Sequence, residues 1–418
     1  MKGLFTTRPM IIGLAARNLR RYLRRTLITT VGIALGTALS LFSMGLGDGG
    51  HNQMIENGVR IGQGHLTVQP KGYLQSPSPS LFIRNPGPIL SALKSNPGVR
   101  EVFPRIRGEG ILATAAGSEG ILFQGVDPNL KAEGAIFKRS MKEGAFLDST
   151  GRHNLVIGEK LAKRLNLKVG KKAVLTAQDA GGEITSVLLR VKGIFQTGSS
   201  SIDGAVCLLP LGILQKTLGM GKGVTSLAIY LSNPYQQNAV FRELDKMLPD
   251  GPDVLLPWQK LQPQMRDFVI IDNVFGYLTY GIVLFIVSIG VLNTVLMSVM
   301  ERKREIGILA ALGMENGAIL RMILLETTFL TLLGIGGGLI LGLGVNWYFS
   351  VHGLDLRSFS SESWNLAGTV VDPIMYSQLR PHRILQLCLA VLGLTLTMGI
   401  YPAWKASHIE PVEAMEKP

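Results

Sequence analysis

Charge is the first thing this 418-residue chain lacks: Asp, Glu, Lys and Arg make up 17% of it, against about 25% in ordinary soluble proteins. Cysteine is scarcer, with two residues. A disulfide framework is therefore excluded, and a bond between Cys207 and Cys388 is not expected, because they fall in different regions of the chain. Acid is missing altogether from residues 1–25, which hold Lys2, Arg8, Arg17, Arg20, Arg21, Arg24 and Arg25. The motifs of common enzyme chemistry are missing too. There is no H-E-x-x-H and no G-x-S-x-G, and His51, His65, His153, His352, His382 and His408 are scattered without ligand spacing. A phosphate-cradling loop needs G-x4-G-K-[ST], but Gly170-Lys171 and Gly221-Lys222 are followed by Lys172 and Gly223. No catalytic, cofactor-binding or metal-ligating residue is expected.

What the chain does have is apolar length. A hydrocarbon core about 30 Å thick takes ~20 helical residues to cross. Four runs reach that length: 26–47, 273–300, 320–348 and 384–404. Only the third contains charge, Arg321 and Glu326, both close to its start. The spacing predicts four membrane helices. The first run is too long for the core of a secretion signal, and three more spans follow it.

Formal net charge is +13, and its placement assigns an orientation. The basic, acid-free residues 1–25 belong in the cytoplasm by the positive-inside rule. Arg302, Lys303 and Arg304 after the second run, and Lys405 after the fourth, fall on the same side. Both termini are then cytoplasmic, and basic flanks explain the high pI without nucleic acid. Aromatic residues mark the interfaces: Tyr277, Tyr280, Trp347 and Tyr348 outside, Tyr401 and Trp404 inside.

The resulting fold class is an α-helical membrane domain of four transmembrane helices in a 1+3 arrangement, with a large mixed α/β extracytoplasmic domain over 48–272, expected as two subdomains. "GHLTVQP" (64–70) and "LAIYLSNP" (227–234) read as strands closed by proline. "AVFRELDKML" (239–248) reads as a helix, and so does Gly158–Leu167, followed by a turn and a strand. The remaining pieces are a short outer loop (349–383) and a cytoplasmic tail (405–418). Residues 10–25 have Ile11, Leu14, Ala15, Leu19 and Tyr22 on one side and Arg17, Arg20, Arg21 and Arg24 on the other. That pattern suits an elbow helix (1–25) lying in the membrane interface.

Residues 301–314, "ERKREIGILAALGM", carry charge straight into an apolar pattern. In helical phase Ile306, Leu309, Ala310 and Gly313 share a face, with Ile308 and Leu312 beside it. Either a cytoplasmic partner buries that face, or the stretch (301–319) is a simple interfacial turn. Spacing alone leaves both open. Gly334, Gly338 and Gly342 recur every fourth residue, and so do Gly32, Gly36 and Ser40. Such stripes let helix backbones approach closely in lipid, within one chain or between two.

The stretch Glu301, Arg302, Glu305, Ile306, Gly307, Ile308, Leu309, Ala311, Leu312 and Gly313 resembles the ER-x-x-E-I-G-I-L-x-A-L-G coupling segment of ABC transporter permeases of the FtsX, macrolide-exporter and lipoprotein-releasing superfamily. A basic residue common before the "AL" is Ala310 here. "ARNLRRYLRRTLITTVGIALGTAL" (16–39), "LFQGVDP" (122–128), "VIGEKLAKRLNLKVG" (156–170) and "YPAWKASHIEPVEAM" (401–415) extend the resemblance over nearly the whole chain.

The resemblance implies an inner-membrane subunit that dimerises with a second permease copy or a paralogue and rests on a cytoplasmic ABC ATPase dimer. ATP and magnesium would sit on that ATPase, with no cofactor bound by this chain. The ATPase is expected to be a separate polypeptide, because residues 1–25 leave no room for a fused one. Closure of the ATPase would be relayed to the external domain, moving cargo outside the membrane rather than through a pore. The near-absence of charge in the spans suits that mechanism, and Glu326 is expected to pair with Arg321 or another basic residue at the membrane edge. By the family pattern Gly32, Gly36 and Ser40 form the dimer seam.

For cargo, "LLRVKGIFQTGSSSIDGAVCLLP" (188–210) resembles the lipoprotein-releasing branch, whose substrate is a lipoprotein handed to a periplasmic chaperone. The chaperone-docking subunit of that branch carries a proline-bearing hook. Here "AQDAGGEITS" (177–186) has no proline and reads as a tight turn around Gly181-Gly182, which speaks against chaperone docking by this chain. Export of a peptide, an antibiotic or a lipid is the alternative. A signalling regulator of periplasmic enzymes fits less well, because the external domain is large.

Overall fold

The computed structural model describes residues 23–61, 64–128, 134–148, 153–248, 251–355, 365–366, 369–370 and 374–409. The elbow helix expected over 1–25 lies outside them for its greater part. The chain divides into two units, one built from 23–52, 270–355 and 374–409, the other from most of 53–269.

Helix α1 (Leu23–Ile61) contains the first apolar run. After it comes the α/β unit, whose ten strands are β1 (Leu66–Pro70), β2 (Val99–Thr114), β3 (Gly117–Val126), β4 (Met141–Gly144), β5 (Asn154–Gly158), β6 (Lys172–Gln178), β7 (Ile184–Phe195), β8 (Val206–Pro210), β9 (Ser226–Leu231) and β10 (Asp253–Pro257). They pair in the order β10-β1-β9-β2-β3-β8-β5-β7-β4, with β6 joining β2 to β7. Two halves follow from that topology, and β2 belongs to both. Residues 99–105 of β2 pair with β9, beside β1 and β10. Residues 106–114 pair with β3 and β6, and the circuit β2-β3-β8-β5-β7-β6 closes on itself. Closure removes free edges there. Both strands read from "GHLTVQP" and "LAIYLSNP" are present, and every residue of β1 is buried. Proline at the end of β1 costs no ladder bond it could have donated in the middle.

The helices of this unit include α2 (Pro86–Ser95), α3 (Glu159–Arg164), α4 (Ser200–Ala205), α5 (Leu211–Thr217) and α6 (Gln237–Met247); Ala135–Arg139 and Trp258–Leu261 are shorter helical turns. Helix α6 is the one read from "AVFRELDKML", and it buries Val240 and Leu244, one turn apart, in the main core. The segment 158–167 is helical only over Glu159–Arg164. Asn166 then takes a positive φ of 47°, a conformation Asn tolerates better than most residues, and the chain turns into β6. The tight turn expected at Gly181-Gly182 is present: Asp179 Oδ1 accepts from the amides of Gly181 and Glu183, and Gly182 sits at φ +93°. Cys207 is wholly buried in β8 and free.

The helical unit is completed by α7 (Pro263–Glu301), α8 (Lys303–Ala311), α9 (Asn316–His352) and α10 (Pro381–Ser407). Among the described residues, helices α1, α7, α9 and α10 are the four long and apolar enough to cross a membrane. The glycine stripe of α9 is spent inside the chain. A Cβ on Gly334 would meet Ile33, one on Gly338 would meet Thr37, and one on Gly342 would meet Leu41. Backbones in lipid pack this closely only where no side chain intervenes. Helices α9 and α10 share a buried bond between Thr331 Oγ1 and Thr395 Oγ1, 3.1 Å.

At one end of this unit, α1 is held by polar contacts. Asp48 pairs with Arg383 at 3.0 Å, His51 with Asp272 at 2.7 Å, and Asn52 with Gln378 at 2.7 Å. Together these tie α1 to α7 and to the segment leading into α10.

Candidate coupling site

The stretch 301–319 is not one helix. Arg302 breaks the α7 geometry at φ −108°, ψ 17°, α8 runs for nine residues, and Gly313 stops it. The stop has a specific form. The Gly313 amide bonds to Ala310 O and the Met314 amide to Leu309 O, both at 3.0 Å. That is a Schellman ending, which needs a left-handed residue after the cap, and Gly313 supplies it at φ +93°. Met314 is buried in the same cluster that Leu309 packs against, the apolar contact that usually accompanies this motif. Residues 316–319 already belong to α9.

The face assignment read from the sequence needs correction. Ile306 and Gly307 are buried, and Leu309 and Ala310 are partly buried, so they face the bundle rather than outward. The exposed side of α8 is a different stripe: Arg304, Ile308 and Ala311, continued by the cap residue Leu312. Ile308 is 44% exposed and Leu312 61% exposed. They lie four apart, so they sit one above the other on a helix surface. Gly313 is also exposed, but as the turn residue.

Beneath α8 lies a buried ion pair. Arg302 Nη1 reaches Glu326 Oε2 on α9 at 3.1 Å, and its Nε reaches Glu305 Oε2 at 3.3 Å. Glu326 therefore has the basic partner expected of it, and of the two alternatives it is a residue other than Arg321: Arg302, at the bend between α7 and α8. Both side chains border a water-sized cavity of ≈30 Å³ that also touches Thr26, Ser298, Ile306 and Thr327. Helices α8 and α9 are thus joined by a charged contact as well as by the apolar cluster that holds Ile306.

The second candidate set, Gly32, Gly36 and Ser40, splits. Gly32 is open, with nothing near its would-be Cβ. Gly36 is buried against Val287 of α7, and Ser40 is 2% exposed. Sequence spacing placed all three on one stripe, but the inward side of α1 takes two of them for packing within the chain. The outward side carries Leu27, Ile28, Val31, Leu35 and Leu39. Among the described residues, no group of three His, Cys, Asp or Glu side chains could hold a metal ion.

Residues 26–247 match the MacB-like periplasmic core domain and residues 277–411 the FtsX-like permease C-terminal domain. A lipoprotein-releasing system transmembrane protein LolC from Xylella fastidiosa is 20% identical, covering 97% of this chain and 98% of that protein. A macrolide export ATP-binding/permease protein MacB from Rhodopseudomonas palustris is 24% identical over 98% of this chain and 60% of its own length. The solved periplasmic region of MacB from Actinobacillus actinomycetemcomitans covers 51% of this chain at 15% identity, with a TM-score of 0.37. With more than half its length in the first match and its last three spans in the second, the chain belongs to the FtsX-like, MacB-like family of ABC transporter permeases and is a multi-pass membrane protein.

Proposed function

We propose that this permease is the inner-membrane subunit of a lipoprotein-releasing transporter, driven by a separate cytoplasmic ABC ATPase that docks on α8. The observation carrying the docking half is the exposed stripe Ile308, Ala311 and Leu312, with Arg304 beside it, on a short helix between two spans. An apolar strip with a charged rim is the surface a partner groove covers. Arg302 and Ile306 then carry the displacement into α9. The ATPase holds ATP and magnesium, and both termini and α8 lie in the cytoplasm.

Relatives named as lipoprotein-releasing proteins, matched along nearly their whole length, support the cargo half. The short Asp179–Glu183 turn offers no extended hook for a periplasmic chaperone, so chaperone docking is assigned to a partner permease. Export of a peptide, antibiotic or lipid by the same machinery is the second reading, favoured by the similarity to MacB.

The deciding experiment depletes the protein, pulse-labels lipoproteins and separates inner from outer membrane. Retention of several unrelated lipoproteins in the inner membrane is the expected result. Normal sorting would reject lipoprotein release and move the cargo to the export class.

A further inference from the structure

Away from the membrane helices, the closed half of the sheet carries a cleft with an unusual lining. Helices α3 and α4 lie side by side, close enough that a Cβ on Gly158 would strike the backbone of Asp203. Between them and Gly120 of β3 opens a cleft of ≈530 Å³. That falls in the range of small-molecule sites, about 300–1,000 Å³. Its walls are Lys160, Lys163 and Arg164 from α3, Ser200, Ser201 and Gly204 from α4, and Gly120 as an open floor. No carboxylate is among the lining residues.

The three cations are three and four residues apart, on one face of one helix. Like charges at this spacing repel, so the arrangement costs stability when the cleft is empty of anions. Neighbours relieve it only in part. Glu119 pairs with Arg164 at 3.4 Å, and Glu159 is shared between Lys163 at 2.8 Å and Lys142 at 2.7 Å. Neither carboxylate belongs to a residue lining the cleft. The nearest acid on α4, Asp203, is turned away: its carboxylate accepts from the Thr197 amide and hydroxyl and from the Gly198 amide. Lys160 makes no ion pair among the described residues and donates to Ser200 Oγ at 2.6 Å. Arg164 is held in place by donating to the Gly204 carbonyl, so its guanidinium is pre-positioned at the wall.

We propose that this cleft binds a phosphate group, with Lys160, Lys163 and Arg164 supplying charge and Ser200 and Ser201 supplying hydroxyl donors. A carboxylate presents two oxygens in a plane, which one arginine satisfies bidentately. Donors on both walls, from two helices, suit a tetrahedral anion with three or more oxygens. The volume leaves room for the group to which the phosphate is attached. A free phosphate and the headgroup of an anionic lipid share this chemistry.

The test uses the full-length protein in nanodiscs of pure phosphatidylcholine and calorimetric titration with two probes, inorganic phosphate and glycerophosphoglycerol. Saturable binding of phosphate supports the site as a free-anion site. Binding of glycerophosphoglycerol at least tenfold tighter than phosphate supports a lipid headgroup. In either case the double variant Lys160→Gln/Lys163→Gln is expected to weaken binding at least tenfold. Lys160→Arg, which keeps the charge, should retain it. Lys168→Gln/Lys171→Gln, the same charge change on exposed residues outside the cleft, should stay within twofold of the parent. Absence of saturable binding by both probes, or equal losses in the two double variants, would overturn the proposal. All four lysines are exposed, so the variants are expected to stay folded with only a small change in thermal midpoint, which separates lost binding from lost fold.

Discussion

Arg302 and Glu326 are 24 residues apart in sequence and 3.1 Å apart in space, both nearly out of solvent. The pair joins the start of α8 to the first turns of α9. Breaking a buried pair by removing one partner costs roughly 3–5 kcal/mol, whereas replacing both by apolar groups is often neutral. Glu326→Gln is therefore expected to lower the unfolding midpoint sharply. Arg302→Met/Glu326→Leu should recover most of the loss while transport stays impaired, because the charged link from α8 is gone. Thermal unfolding in micelles beside a transport assay checks both halves. An unchanged midpoint for Glu326→Gln would show that the pair carries no stability.

The outward stripe of α8 separates docking from folding. Ile308→Asp and Leu312→Asp place charge on exposed positions, where substitution costs little stability, usually within about 0.5 kcal/mol. Each is expected to insert normally, fail to co-purify with the ATPase and abolish transport. Leu309→Asp would also stop transport, but by placing a charge against the bundle core, with visible loss of stability. If Leu312→Asp and the parent retain the ATPase equally, the docking face lies elsewhere.

Much of this architecture could be read from residue order, and the misses share a cause. Four apolar runs, the strand at 66–70, the helix over Val240 and Leu244, and the hairpin turn at Gly181-Gly182 are local features, and local periodicity reveals them. The ends of the helices were not legible, because apolar length marks where a chain can cross a membrane and not where its helix stops. The inward and outward faces of α8 were confused for a related reason. Ile306 and Ile308 are equally apolar, and only the bend at Arg302 decides which of them meets the bundle. Gly313 looked like part of a small-residue face, but its role is backbone geometry. The closed circuit of β2, β3, β8, β5, β7 and β6 depends on pairings between distant strands, which no single-strand pattern encodes.

Gly313 tests whether the bend itself matters. An alanine there must hold a left-handed conformation, which costs about 1–2 kcal/mol for a residue with a Cβ. No neighbouring atom crowds the position, so the effect isolates backbone strain. Gly313→Ala is expected to destabilise by about that amount, and Gly313→Asn by less, since Asn tolerates this region better. Equal stability of Ala and Asn variants would mean that α8 ends differently.

Acid sensitivity of the α/β unit should involve Glu159. Hydrogen bonds from Lys142 first, then Lys163, hold its carboxyl below the usual range. A lowered pKa means the native state keeps this group ionised further into acid than the unfolded chain does. The resulting stability is present above the unfolded value, about 4.3, and is lost as pH falls through the lower native value. These contacts are at the surface, so their contribution is small and falls with salt. Glu159→Gln is expected to lower stability at neutral pH in low salt, with the gap closing in strong acid and in molar salt. A gap that persists in strong acid would assign the effect to packing instead.

If the proposed transporter pairs two permeases through α1, the seam falls on the outward face of that helix. Gly36 and Ser40 are occupied by packing within the chain, so cysteine placed there should crosslink poorly between subunits. Gly32, Leu35 and Leu39 lie on the open side, and cysteines there are expected to form intersubunit disulfides under mild oxidation. Native Cys207 does not interfere, because it is fully buried and burial pushes its thiol pKa up, leaving almost no reactive thiolate. Cys388 is half-buried on α10 and is best replaced by Ala in the background used. Crosslinks at 32, 35 and 39 but not at 36 and 40 would place the seam on the stripe of larger residues. Crosslinks at none of the five would leave that face to lipid and require the subunits to meet through another helix.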